Sequence, residues 1–141
     1  MAGAGTVEVD ALALDGSGNL YAGGRFTTAG GVTVNRIAKW NGSLWSSLGS
    51  GIGGDYAPGV SALAVIGTNL YVGGTFSTVG GVTMNNIARW NGSTWSALGS
   101  GINGQVIALA VIGNDLYAGG RFTKAGGVTA NLIAKWNGSN W

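Results

Sequence analysis

The 141-residue chain contains no cysteine and no histidine. Without cysteine there is no disulfide framework and no thiolate metal site. Without histidine the commonest general base and the commonest neutral metal ligand are both gone. Ser-His-Asp and Cys-His nucleophile systems therefore cannot be built within the chain. Charged residues are few, 9% of the total, with seven basic against five acidic and a net charge of +2. There is no Lys/Arg run, which argues against a nucleic-acid partner. No apolar run nears the ~18 residues of a membrane span; the best one, Val106 to Ile112, has the length of a strand. Met1 leads straight into Ala2-Gly3-Ala4-Gly5, without the charged and apolar regions of a signal peptide. Neither a membrane role nor a cleavable leader is expected of this chain, and cellular location is left open.

Glycine is abundant instead, at 29 residues, while proline occurs once. Disorder requires low hydrophobicity, yet 45% of the residues are apolar and the mean hydropathy is +0.28. Glycine mixed with β-branched and aromatic residues points to many short strands joined by tight turns. Helical signals are absent, because nothing recurs with a 3.6-residue period.

Internal repetition dominates the sequence. Leu20-Tyr21-Ala22-Gly23-Gly24-Arg25-Phe26 returns as Leu70 to Phe76 and as Leu116 to Phe122. Ile37-Ala38-Lys39-Trp40-Asn41-Gly42-Ser43 returns as Ile87 to Ser93 and Ile133 to Ser139. The tyrosines at 21, 71 and 117 are 50 and 46 residues apart, and each precedes its first tryptophan (Trp40, Trp90, Trp136) by 19. The second tryptophan (Trp45, Trp95, Trp141) always follows after 5. A period in the upper forties is that of a β-propeller blade.

Each unit reads as four strands. The first is Val9 to Leu14, Val60 to Ile66 or Val106 to Ile112; the second is Leu-Tyr-x-Gly-Gly-x-Phe. A longer loop through Gly30-Gly31 and its counterparts leads to the third, Ile-Ala-Lys/Arg-Trp. Asn-Gly then turns the chain, a strong hairpin signal because both residues tolerate positive φ, into a fourth strand from the second tryptophan. The first strand is apolar on both faces, as in a sheet packed between two others. Its alternate alanines suit crowding near a central axis.

The predicted fold is therefore all-β: one half-propeller domain over 1–141 with three four-stranded blades, at about 7–50, 58–100 and 104–141. The alternative is a β-trefoil, which also has three four-stranded repeats and closes alone, but the Gly-Gly strands offer little bulk for a trefoil barrel. A propeller needs about four to eight blades, and three would leave sheet edges and faces uncovered. The expected remedy is a homodimer completing six blades, with residues 1–5 of one copy supplying the outer strand that follows Trp141 in the other; a trimer of nine blades is the alternative. Roughly two-thirds of positions match between Ala62–Trp95 and Ala108–Trp141. That likeness fits recent duplication, a propeller fragment or a designed chain equally well.

The repeated string, continued through Gly-Gly-Val-Thr and Asn-Gly-Ser-x-Trp-Ser-x-Leu-Gly-Ser-Gly, resembles the kelch-like bacterial propeller repeats related to the propeller of cortical cell-polarity marker proteins. The resemblance covers essentially the whole chain and implies a propeller fold, a binding or scaffolding role and a secreted or cell-surface origin. It implies no catalytic residue.

Among candidate sites, the loops after the second and fourth strands share one face, the usual ligand face of a propeller. Arg25, Thr27, Asn35, Arg36, Asn85, Arg121, Lys124 and Asn131 fall there, joined by Asp55 and Tyr56 from the longer linker 53–59. A glycan or protein ligand is the expected partner besides the chain itself. The six tryptophans read as blade packing rather than sugar platforms, and the three Asn-Gly-Ser sequons as hairpin turns. Asp15-Gly16-Ser17-Gly18-Asn19 has oxygen ligands like a calcium loop but lacks the later bidentate glutamate. It reads as a plain turn, and no metal or cofactor is expected. Acid–base pairs would have to come from Asp10, Asp55 or Asp115, which neither repeat nor cluster, so no enzyme activity is expected.

Overall fold

A computed structural model describes residues 1–3, 5–54 and 57–141. Repeating units of alternating apolar residues and turn glycines give three main antiparallel sheets. The first contains β1 (Glu8–Leu14), β2 (Leu20–Arg25), β5 (Ile37–Trp40) and β6 (Trp45–Ser47), in that order. The second repeats it with β8 (Gly59–Ile66), β9 (Asn69–Thr75), β12 (Ile87–Trp90) and β13 (Trp95–Ala97). The third has β14 (Gln105–Ile112), β15 (Asp115–Arg121) and β18 (Ile133–Trp136). Each is a meander of neighbouring strands, and β8 packs against both β1 and β14. The sheets are separate and stacked face to face, not joined into the barrel of a trefoil.

The loop after the second strand is itself a small hairpin, which sequence reading leaves as irregular. It is β3 (Thr28–Ala29) with β4 (Val32–Thr33), β10 (Thr78–Val79) with β11 (Val82–Thr83), and β16 (Lys124–Ala125) with β17 (Val128–Thr129). Paired glycines at positive φ, such as Gly80 (59°) and Gly81 (80°), close it. The connector between sheets adds a strand to the next hairpin: β7 (Ile52–Gly53) pairs with β10, and Ile102 bridges Ala125. The N-terminal segment, expected in the outer strand of another copy, takes this same connector path in its own chain, where Ala2 bridges Thr28.

The Gly-Gly pair is explained by two different crowding problems. A Cβ on Gly23 would lie 2.3 Å from Val60 Cγ1, and one on Gly73 2.5 Å from Val106 Cγ1. The first glycine is thus the socket for a valine of the next sheet. A Cβ on Gly24, Gly74 or Gly120 would strike the carbonyl oxygen of Glu8, Gly59 or Gln105 at 2.1–2.2 Å. These carbonyls lie beside the β-bulge shared by all three first strands, between Val9 and Ala11, Val60 and Ala62, and Val106 and Ala108. Val60 and Val106 are fully buried in their sockets, each burial stabilising the joint by about 1.5 kcal/mol.

The Asn-Gly hairpins work differently from the expected pair of positive-φ residues. Only the glycine is left-handed (Gly42 98°, Gly92 100°, Gly138 99°). The asparagine holds the turn with its side chain: Asn41 Oδ1 accepts hydrogen bonds from the Ser43 and Leu44 N–H groups, both at 2.9 Å. The flanking tryptophans pack as tilted pairs with ring centroids 5.1–5.4 Å apart. Trp95 Nε1 also donates across the joint to the Leu48 carbonyl at 2.8 Å, as Trp141 Nε1 does to Leu98 at 2.9 Å.

Candidate functional site

The end of the sheets bearing the β3–β4 type hairpins and the connectors gathers most of the residues singled out from sequence. Arg25 ends β2, is exposed, and pairs with Glu8 at 3.4 Å. With Phe26, Thr27, Arg36 and Pro58 it borders a cavity of about 290 Å³. The same place in the third unit holds Arg121, Phe122, Thr123 and Leu132 around a cavity of about 340 Å³, with Asn103. The first and third units thus each carry a cavity at this place with an arginine at its rim.

Several of the expected ligand-binding side chains spend their hydrogen bonds on the scaffold. Asn35 Nδ2 donates to the Ser50 carbonyl at 2.8 Å, and Asn85 Nδ2 to that of Ser100 at 3.1 Å. Arg36 Nη1 donates to the Ile52 carbonyl at 2.9 Å and its Nε to that of Pro58 at 3.1 Å. Asn35 and Arg36 have φ of 47° and 69°, so they form the left-handed corner from which the connector is stitched down. Lys124 meets the connector through its backbone, donating its N–H to Asn103 Oδ1 at 2.8 Å, and its side chain is free to face solvent. Arg121 and Asn131 are exposed. Asp55 and Tyr56 lie outside the described residues.

Two participants escaped sequence reading. Asn86 does the work of Arg36 in the second unit: its Nδ2 donates to the Ile102 carbonyl at 2.9 Å and its Oδ1 accepts from Phe76 N–H at 3.0 Å. Asn103 caps the third hairpin through Thr123 and Lys124. The repeated Gly-Ser-Gly-Ile at 49–52 and 99–102 marks the connector but points only to the asparagines already singled out, since a Cβ on Gly51 or Gly101 would come within 2.7 Å of Asn35 or Asn85.

At the other end of the sheets, a groove of about 350 Å³ runs between the first and second units beside Asp15, Tyr21, Lys39, Asn69 and Asn91. Asp15 is occupied by its own turn. Its Oδ1 accepts from Ser17 and Asn19 N–H, and its Oδ2 from Asn19 Nδ2 and the Tyr21 hydroxyl. Partial burial, the largest single influence on this carboxyl, pushes its pKa up, but the bonds from Asn19, Ser17 and Tyr21 outweigh it and hold the pKa below 3.8. The Tyr21 phenol moves the other way, to about 12, through desolvation first, then the adjacent Asp15 charge and their hydrogen bond. None of the six tryptophans is a fully exposed platform. No group of three or more metal-ligating side chains occurs among the described residues.

Comparison with known families agrees with this architecture. Residues 69–93, which span the second unit from β9 to its Asn-Gly turn, match the family model described as a domain of unknown function (DUF5122) beta-propeller. The chain is an all-β protein of the β-propeller type. No curated protein sequence matches it.

Proposed function

We propose that the chain is a non-enzymatic β-propeller scaffold that completes its ring by assembling with a second copy of itself. One observation carries this reading. Equivalent residues are covered wherever a neighbouring sheet is present and bare where it is not. Ile37 and Ile87 are fully buried, whereas Ile133 is 64% exposed; Val60 and Val106 are fully buried, whereas Val9 is 43% exposed. Two apolar sheet faces are thus open to water, a configuration that marks an interaction surface. Two copies would supply six blades, within the usual range of closed propellers. Light scattering at micromolar concentration tests this: a mass twice the 14.0 kDa of the chain is expected, and a strictly monomeric species overturns it.

A second reading, glycan binding at the hairpin end, has support in the repeated cavity rimmed by Arg25 and Arg121. A glycan array probed with the wild-type chain and Arg25→Ala tests it; binding that the substitution leaves unchanged would move the site elsewhere.

A further inference from the structure

We infer that the two open faces are the two halves of a single head-to-tail joint, in which Val9 of one copy seats over Gly119 of the other. This rests on the self-assembling reading above and adds the register. Within the chain the joint is made twice with the same parts. Val60 enters the space above Gly23, with Leu63 Cδ1 3.5 Å from where a Cβ would be; Val106 enters the space above Gly73, with Leu109 Cδ1 also at 3.5 Å. Continuing that series leaves one socket and one knob unmatched. Above Gly119 a Cβ would meet only the Leu132 carbonyl oxygen, at 3.9 Å. The knob is Val9, which pairs with Gly24 as Val60 pairs with Gly74 and Val106 with Gly120. Leu12, 61% exposed, stands in the position of Leu63 and Leu109.

The backbone beside the knob is already placed for this joint. Ala2 N donates to the Thr28 carbonyl at 3.2 Å, as Asn103 N donates to that of Lys124 at 3.1 Å. Met1 therefore holds the position of Ile52 and Ile102, whose N–H groups donate to the Asn35 and Asn85 carbonyls of the preceding unit at 3.0 and 2.9 Å. The matching acceptor on a second copy is the Asn131 carbonyl. Leu132, standing where Arg36 and Asn86 stand, has no side-chain donor for the connector, so this joint lacks that one stitch. The knob face and the socket face are different surfaces, so the contact is heterologous and closes only when the rotation per copy completes a circle.

The experiment compares the masses of the wild type, Val9→Glu and Gly119→Leu by analytical ultracentrifugation. Both substitutions lie on open surface and keep the fold, checked by circular dichroism. The wild type is expected to be a dimer and each variant alone a monomer. A dimer that survives in either variant overturns the register while leaving self-assembly standing. A monomeric wild type overturns the scaffold reading itself.

Discussion

Glycines in this chain do unlike jobs, and substitution separates them. Gly74→Ala would drive a methyl group onto the Gly59 carbonyl at 2.1 Å and is expected to cost about 1–3 kcal/mol, the range of overpacking. Gly16→Ala meets no atom within 4 Å and should stay within about 0.5 kcal/mol of wild type. Urea denaturation of both variants checks the contrast. The Tyr21–Asp15 pair gives a residue-scale prediction in pH. The folded pKa of Tyr21, about 12, lies above the ordinary phenol value of 10.0. Its contribution to stability is therefore complete below pH 10.0 and is lost as pH rises through about 12. Asp15→Asn removes the charge and should let one tyrosine titrate earlier, seen in the ultraviolet absorbance of the phenolate. The Gly-Gly pair was legible as a repeated motif. Its reasons were not, because one glycine answers to a carbonyl on the adjacent strand and the other to a valine about 35 residues onward.

At the scale of strands and hairpins, the joint between sheets should dominate stability. Val106→Ala empties a fully buried knob and is expected to cost about 2 kcal/mol. Val9→Ala removes the same atoms from an open face and should change the stability of the single chain little; thermal unfolding of the two variants, at a concentration where the chain is monomeric, compares them. Trp95→Phe keeps the ring packing but takes away the indole donor to Leu48, with an expected loss of about 1 kcal/mol in urea titrations. The main strands were readable nearly to their ends, since alternation, Tyr-x-Gly-Gly and the paired tryptophans mark them directly. The small β3–β4 type hairpins were not. Two-residue strands carry no periodicity, and their pairing with Gly53 or Ile102 is made by backbone atoms that side-chain pattern does not encode.

For the whole molecule, the same joint formed between chains would cover the faces bearing Val9, Leu12 and Ile133. Raising protein concentration should therefore raise the thermal midpoint, as expected when only the folded state associates; a midpoint independent of concentration would count against assembly. The candidate site divides along the same lines. Sequence placed Arg25, Asn35, Arg36, Asn85, Arg121 and Lys124 on one end of the sheets, because loop order follows from strand order. By itself the sequence determined the all-β class, the three repeated units and their strand sequence, since these rest on local pattern and on spacing. Only the tertiary structure decided that Asn35, Arg36 and Asn85 fasten the connectors, while Arg25 and Arg121 stand at the rims of two cavities. It also decided which valine meets which glycine. Hydrogen-bond partners and sockets are set by residues from different units coming together, and no local pattern specifies that meeting.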